Sequence, residues 1–231
     1  MDSFVFTLSP IEMAPPRLAI ATLRAGCSAW LDAEFLDAAT PAIEAARCEL
    51  ARLAAHRSAG AWPGLRLTTD QLADLAPLLV ELAQGGHWLV LVRGDRPLAD
   101  AVAALPPASA RKVLYEVSEA DELTPLLDRA GSGIALDGFV ARGAECGGWG
   151  GGDSAFILTQ KLAGAGLSLP FYVRGAIGPG TAAACRLAGA AGVVLSDELL
   201  LMPESCLPQS AQQLLRALDG QEAQDLGDAI G

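Results

Sequence analysis

The sequence has few of the residues that most often carry catalysis or bind metals. Histidine occurs only twice, as His56 and His87. We predict that both are solvated surface residues, one at a helix end and one in the turn before a strand, so neither is expected to act as a general base. The five cysteines form no CxxC pair and have no histidine close by, so neither a structural zinc site nor a disulfide framework is expected. We expect these cysteines to be small buried apolar residues and the chain to bind no metal.

Long uncharged runs and an excess of basic residues are also missing. No stretch of about 18 residues lacks a charged side chain, so a membrane-spanning helix is not expected. The first residues do not combine a basic region with an apolar segment and a cleavage site, which argues against a secretory signal. Acidic residues outnumber basic ones by 27 to 16, giving a net charge of -11. This balance disfavours nucleic acid and anionic membranes as partners, and we expect a cytoplasmic protein.

What the sequence does contain is a repeated alternation of short apolar runs with Ala- and Leu-rich stretches of helical periodicity. With 231 residues, of which 52% are hydrophobic, the chain can bury the core of one domain. The alternation indicates an α/β fold. Helices are predicted over 16–25, from an N-cap at Thr40 to about residue 56, and over 70–83. Strands are predicted over eight ranges: 4–8, 28–35, 65–68, 88–92, 113–117, 133–141, 171–173 and 192–195.

Eight strands joined by helical crossovers favour a single-domain (β/α)8 TIM barrel, closed by pairing of the first strand with the eighth. An open, doubly wound parallel sheet is the alternative. We assign residues 1–219 to the barrel. Residues 220–231 are acidic and contain glycine, and we predict that they form a tail or a linker.

Two segments carry chemical information, and each follows a predicted strand, where barrel enzymes place their sites. The first runs from Arg142 to Asp153 (RGAECGGWGGGD). Its glycines would let the backbone approach a flat ligand, and Asp153 or Ser154 would cap the next helix. A plain surface loop explains the composition equally well. Within it, Glu145 is the candidate catalytic group, as a proton donor or orienting group; the alternative is that Glu145 only accepts backbone N–H bonds in its loop.

The second segment is VRGAIGPGTA, residues 173–182, in which a strand passes through a glycine-rich turn into a helix. Backbone amides at a helix start form an anion site suited to a phosphate. In (β/α)8 barrels a phosphate often lies between the loops after strands seven and eight. Glycine also serves ordinary turns between a strand and a helix, so this motif by itself leaves phosphate binding open.

These segments, together with RLAIATLRAG, FILTQKL and the stretch from LPFYVRGAIGPG to LLLMPES, resemble the nitronate monooxygenase and flavin-type enoyl reductase family. The similarity is strongest over residues 133–205 and most marked with the diverged barrels at the amino end of bacterial polyketide and polyunsaturated fatty acid synthases. The resemblance implies an FMN barrel. Its cofactor-binding residues would be Gly175, Gly178 and Gly180 for the phosphate, and Gly147 and Gly148 for the isoalloxazine. Arg142, in the first segment, is a further candidate because its guanidinium could pair with a phosphate or a substrate carbonyl.

The chain departs from the family pattern at two places. Where the monooxygenases have a catalytic histidine after the glycine pair, this chain has Trp149, which cannot accept a proton. Where the family has Gly-Thr after the eighth strand, this chain has Ser196, Asp197 and Glu198. Carboxylates there would repel a phosphate unless they point away, so we predict weak or absent FMN binding.

Two classes of function follow. The first is an FMN-dependent oxidoreductase acting on a small molecule such as a nitronate, or on an acyl thioester in polyketide or fatty acid biosynthesis. The second is a non-catalytic barrel without flavin, which serves as a docking or structural domain beside other domains of a synthase.

Overall fold

The computed structural model describes residues 4–11, 15–37, 39–83, 85–105, 110–122, 135–146 and 151–218. Eight parallel strands form a closed barrel in chain order. The strands are β1 (Val5–Pro10), β2 (Ser28–Asp32), β3 (Pro63–Thr68), β4 (Gly86–Val92), β5 (Ala110–Val117), β6 (Gly138–Arg142), β7 (Phe171–Arg174) and β8 (Gly192–Leu195).

The barrel closes between its first and last strands, as predicted. Val5 of β1 lies opposite Val193 of β8, and Thr7 lies opposite Leu195, in parallel register. The predicted (β/α)8 fold is therefore confirmed, and the open-sheet alternative is wrong. The predicted tail, residues 220–231, lies outside the described part of the chain, so its assignment stays a prediction.

Side chains of successive strand residues alternate between the two faces of the sheet, which gives the protein two hydrophobic clusters. In β4, Trp88 and Val90 belong to the cluster inside the barrel, whereas Leu89 and Leu91 pack in the layer shared with the helices. The inner cluster is rich in aromatic residues: Phe6, Leu8, Trp30, Trp88, Val90, Leu114, Val140, Tyr172 and Val194. The barrel interior is thus a packed core.

The described helices are α1 (Arg17–Arg24), α2 (Thr40–Ala54), α3 (Ala76–Ala83), α4 (Leu98–Ala103), α5 (Ala155–Gly164), α6 (Pro179–Leu187) and α7 (Gln209–Ala217). Two of these helices begin at a different residue than predicted. The N-cap of α2 is Ala39 rather than Thr40. Helix α3 begins at Ala76 rather than Asp70 because Pro77 fits only in a first turn, where its missing N–H is not needed. Among the described residues, no helix has the length and apolar character needed to cross a bilayer.

Two predicted strands are shorter than expected at one end. Strand β2 ends at Asp32 instead of Phe35, because the Asp32 carboxylate accepts the N–H of Glu34 at 3.0 Å and turns the chain. Strand β6 begins at Gly138, and residues 133–134 of its predicted range lie outside the described residues.

The prediction that His87 is a solvated turn residue is wrong. His87 lies within β4 and is 2% exposed, and its Nδ1 is 3.1 Å from the carbonyl oxygen of Gly85. Burial lowers the pKa of His87, so the ring is neutral at physiological pH. The strand begins two residues earlier than predicted, at Gly86, and that extension carries His87 into the barrel wall.

Candidate functional site

The carboxyl ends of the strands carry a buried cluster of charged side chains, which we call the mouth cluster. It consists of Asp32 and Glu34 at the end of β2, Arg66 of β3, Glu116 of β5, Arg142 of β6 and Arg174 of β7. Each has no more than 16% of its side-chain surface exposed. These strand ends form the face on which (β/α)8 enzymes place their active sites.

Arg66 is the centre of the mouth cluster and is fully buried. Its Nε and Nη2 donate to the two oxygens of Glu116 at 2.9 and 2.6 Å, a bidentate pair. Its Nη1 donates to Glu34 at 2.7 Å and to Asp32 at 2.8 and 3.0 Å. Three carboxylates thus surround one guanidinium, an arrangement in which each hydrogen bond is assisted by charge.

Arg142 and Arg174 complete the charge balance around these carboxylates. Arg142 Nη1 lies 3.7 Å from Glu116 Oε1 and 4.0 Å from Glu34 Oε1. Arg174 Nη1 lies 3.6 Å from Glu116 Oε2. The mouth cluster therefore contains three arginines and three carboxylates, and it carries no net charge when all of them are ionised.

Glu116 is ionised over the whole physiological range. Burial alone would raise the pKa of its carboxyl group. The charge of Arg66 and its hydrogen bonds, followed by the charges of Arg174 and Arg142, outweigh burial and lower this pKa to about 2. Glu116 therefore acts as a fixed negative charge and not as a proton donor at neutral pH.

The glycine-rich turn after β7 has an unusual backbone. Gly175 has a φ of +128°, and Ala176, which is not a glycine, has a φ of +47°. A side chain at position 175 would be strained by this φ and would also meet Glu145 Oε2 at 3.2 Å. Gly178 is the N-cap of α6 in an extended conformation, and no side chain caps the helix there. Of the three glycines predicted to bind phosphate, only Gly175 is required by its backbone angle.

The carboxylate of Glu198 binds one backbone amide in each of two loops, next to the turn that was predicted to hold a phosphate. Its Oε1 accepts the N–H of Ile177 at 2.7 Å, and its Oε2 accepts the N–H of Ser196 at 2.8 Å. These two amides come from the loops after β7 and β8. The place between those loops is where (β/α)8 barrels often hold a phosphate.

Glu145, the predicted catalytic residue, forms a contact that stabilises its loop. Its Oε2 accepts the N–H of Ala155, the first residue of α5, at 2.9 Å. Ser154 caps the same helix, as predicted, by accepting the N–H of Ile157 at 3.3 Å. The geometry gives Glu145 a role at the start of α5, and its catalytic role stays a prediction.

Replacing Glu145 with alanine is expected to lower the free energy of unfolding by about 1 kcal/mol, the usual effect of losing a helix cap. Urea unfolding monitored by circular dichroism measures this change. Glu204→Ala, at an exposed carboxylate on a different loop, is the control and should have almost no effect. Equal stability of Glu145→Ala and the wild type would show that the contact with Ala155 contributes nothing.

The loop after β6 is described at its two ends only. Gly147, Gly148 and Trp149 lie outside the described residues, so their predicted roles are neither supported nor contradicted. At the described end, Cys146 Sγ would be 3.5 Å from a Cβ at Gly175, so this end of the loop lies against the turn after β7. Burial raises the pKa of the Cys146 thiol to about 11, so it is not a thiolate nucleophile at neutral pH.

The other cysteines match the sequence prediction in part. All five carry free thiols, and Cys146 and Cys185 are buried, but Cys48 is exposed and the remaining two are partly exposed. Within the described residues, His, Cys, Asp and Glu side chains form no group that could hold a metal ion.

Beside the mouth cluster lies an open cavity of about 690 Å³. Glu34, Glu116 and Arg142 form part of its wall, and Phe35 and Ser118 also line it. Among the described lining residues the acidic ones predominate: Glu34, Asp70, Asp95, Glu116, Glu119 and Glu122, against Arg93 and Arg142. An anionic ligand would meet repulsion here, because carboxylates outnumber the cations.

Two features of the described residues oppose FMN binding of the kind that the resemblance implies. The amides of Ile177 and Ser196 are already hydrogen-bonded to Glu198. Arg142, predicted to meet a phosphate or carbonyl, is 1% exposed and lies within ion-pair distance of Glu116 and Glu34. Two amides between the loops after β7 and β8, and the Arg142 side chain, are thus engaged by side chains of the chain itself.

Most of the mouth cluster was not predicted from the sequence. Arg66 was not singled out, and Glu116 was given no role. A signal for both was present: Arg66 lies between Leu65 and Leu67, and Glu116 between Tyr115 and Val117, all of them in buried strands. A charged residue flanked by apolar residues in a barrel strand points to the inside, where it needs partners.

Comparison with known proteins gives structural matches only. No protein-family model and no curated protein matches the sequence. The structure is similar to FabK from Thermotoga maritima, with a TM-score of 0.73 and 19% identity over 94% of this chain. The match spans 69% of the FabK M276A mutant chain and 65% of a second FabK chain. Thiamine phosphate pyrophosphorylase from Pyrococcus furiosus is similar with a TM-score of 0.59 and 13% identity, over 92% of this chain and 93% of that one. TrpF from Jonesia denitrificans is similar with a TM-score of 0.54 and 16% identity, over 88% of this chain and 90% of that one. The chain therefore shares the (β/α)8 fold of these proteins.

Proposed function

We propose that this chain is a barrel of the flavin-type enoyl reductase kind that no longer binds FMN and acts as a non-catalytic domain beside other domains of a polyketide or fatty acid synthase. The mouth cluster is the observation that carries the proposal. Barrel enzymes use the side chains at their strand ends to bind ligands. Here the strand ends of β2, β3, β5, β6 and β7 bind one another.

The energy of the mouth cluster opposes its use for a ligand. Removing one partner of a buried ion pair costs about 3–5 kcal/mol, because the other charge stays buried without compensation. Micromolar affinity corresponds to about 8 kcal/mol. A ligand that recruited Arg66, Arg142 or Glu116 would therefore spend roughly half of that binding energy on breaking existing pairs.

The resemblance supports the same conclusion for the chemistry. The position at which related monooxygenases have a histidine base is Trp149 here, and an indole cannot take up a proton. The place of the barrel within a synthase also rests on the resemblance, which is strongest over residues 133–205. The fold shared with FabK is consistent with this origin.

A second candidate is an active FMN-dependent oxidoreductase acting on a small molecule or an acyl thioester. The cavity of about 690 Å³ at the carboxyl face favours it, because that volume accommodates a sizeable ligand at the end of the barrel where barrel enzymes act. FMN binding would then require Glu198 to release the amides of Ile177 and Ser196, and the side chains of the mouth cluster to change their pairing.

Titration of the purified protein with FMN separates the two candidates. We expect no flavin absorbance in the protein as isolated and no quenching of FMN fluorescence up to about 100 µM FMN, which corresponds to less than about 5.5 kcal/mol of binding energy. Cooperative unfolding of the same sample would show that it is folded. Stoichiometric binding at low micromolar FMN would overturn the non-catalytic proposal and favour the oxidoreductase.

A further inference from the structure

We infer that the Glu198 carboxylate occupies a phosphate-binding site of this barrel, and that Glu198 is the residue that decides whether the site accepts a phosphate group. The inference deepens the proposed loss of FMN and rests on it in part. It concerns one carboxylate and two loops, and it can be tested with inorganic phosphate alone.

One carboxylate contacts the loops after β7 and β8 at the same time. Glu198 Oε1 accepts the N–H of Ile177 at 2.7 Å, and Oε2 accepts the N–H of Ser196 at 2.8 Å. Two backbone donors that converge on two oxygens of one anion are the geometry of an oxyanion or phosphate site. Glu198 supplies the anion from within the chain.

The backbone before Ile177 has an unusual conformation. Gly175 and Ala176 have successive positive φ values of +128° and +47°, and the N–H of Ile177 follows directly. A positive φ at a residue such as alanine is sparsely populated, and it persists where the surrounding contacts hold it. Gly178 is the N-cap of α6, and no side chain caps the helix there. The positive end of the helix dipole therefore lies next to Ile177, whose N–H binds the Glu198 carboxylate.

A buried cation lies next to the loop after β8. Arg174 is 5% exposed, and its Nε donates to Ser196 Oγ at 3.3 Å. Its Nη1 is buried and has no hydrogen-bond acceptor among the described residues, although it lies 3.6 Å from Glu116 Oε2. A buried guanidinium thus contacts Ser196, although its charge is shared with Glu116 of the mouth cluster.

Competition decides which anion occupies the site. Glu198 is covalently part of the loop it binds, so its carboxylate is present at an effective concentration far above that of a free ion. A phosphate would have to displace it, and would meet its charge at close range if it did not leave. Removing this carboxylate should therefore open the amides of Ile177 and Ser196 to a free anion.

The test measures binding of inorganic phosphate to the wild type and to Glu198→Ala by the chemical shifts of the Ile177 and Ser196 amides. We expect Glu198→Ala to bind at least about tenfold more tightly than the wild type, since both charge repulsion and competition are removed. Glu198→Gln, which keeps one carbonyl acceptor, should fall between the two. Glu204→Ala, which removes an exposed carboxylate elsewhere on the loop after β8, is the matched control and should behave as the wild type.

Three results would overturn the inference. The first is a folded Glu198→Ala variant whose Ile177 and Ser196 amide shifts do not change with phosphate. The second is an equal gain in phosphate affinity in Glu204→Ala. The third is a wild type that binds phosphate as tightly as Glu198→Ala. If Glu198→Ala does not fold, the absence of any gain in Glu198→Gln would count against the inference in the same way. Saturation by phosphate at these two amides in either Glu198 variant, and not in the control, supports it.

A parallel FMN titration keeps this inference distinct from the proposed function. If Glu198→Ala binds phosphate while neither the wild type nor Glu198→Ala binds FMN, Glu198 blocks the phosphate site and the mouth cluster still excludes the flavin. If the wild type binds FMN tightly, the non-catalytic proposal fails, and the phosphate comparison still decides the role of Glu198. If no variant binds phosphate and the wild type binds no FMN, the proposed function stands and the inference is wrong.

Discussion

The Glu116→Gln variant is expected to lose about 3–5 kcal/mol of its free energy of unfolding at pH 7. Glu116 is fully ionised there and is hydrogen-bonded to Arg66 at 2.9 and 2.6 Å, with Arg142 and Arg174 also within ion-pair distance. The amide would leave three buried arginines with only two carboxylates. Urea unfolding monitored by circular dichroism measures the loss. Glu119→Gln, at an exposed carboxyl on the same side of the barrel, is the matched control and should change stability by less than about 0.5 kcal/mol.

The same variant is expected to change how stability depends on pH. The pKa of Glu116 is about 2 in the folded protein and 4.5 in an ordinary setting, so the unfolded chain takes up the proton first as the pH falls. The stabilisation by Glu116 is therefore complete above about pH 4.5 and is lost as the pH falls toward 2, with a magnitude of about 3 kcal/mol. The difference between wild type and variant should shrink over this range. A difference that stays constant from pH 7 to pH 3 would contradict the assignment of Glu116 as the ionised centre of the mouth cluster.

The Phe6→Ala variant is expected to lose a similar amount, about 3–5 kcal/mol, through a different mechanism. Phe6 is fully buried at the centre of the barrel, with ring centroids 5.0 Å from Trp30, 5.2 Å from Trp88 and 5.1 Å from Tyr172. Strands on all sides fix these three rings, so the space left by the phenyl group cannot collapse.

Phe35→Ala is the control for this substitution, because Phe35 is 65% exposed and the change in side chain is the same. Its effect should be within about 0.5 kcal/mol of zero. Unlike the loss in Glu116→Gln, the loss in Phe6→Ala should not depend on pH. A loss below about 1 kcal/mol for Phe6→Ala would mean that the aromatic layer repacks and that the barrel interior is less tightly filled than its contacts indicate.

The order and closure of the strands could be predicted from the sequence because they depend on local patterns. The run of residues 88–92 is uniformly apolar, as a strand buried on both faces requires, and the same holds for residues 192–195. Eight such runs with helical stretches between them leave few arrangements other than a barrel. The prediction also placed Arg142 and the turn at Gly175 on the carboxyl face correctly, since every strand of a (β/α)8 barrel ends there.

Local patterns fail where the environment comes from distant residues. His87 follows two glycines, which indicates a turn, yet its neighbours in the barrel extend the strand and bury the ring. The helix predicted from Asp70 begins six residues later, and the Asp70 carboxylate accepts the N–H groups of Asp95 and Arg96 from another loop at 2.8 and 2.7 Å.

The sequence by itself determined the class of fold and the face on which a site would lie, since both follow from hydrophobic periodicity and chain direction. Only the tertiary structure decided what that face contains. Arg66 meets Glu116, which lies 50 positions further along the chain, and the Ile177 amide meets Glu198, 21 positions away. The strands that are neighbours in the barrel decide whether a buried charge is paired and whether a carboxylate points away from a phosphate site. The sequence predicts Asp197 and Glu198 near a phosphate site, but only the folded chain shows that the Glu198 carboxylate accepts the N–H groups of Ile177 and Ser196.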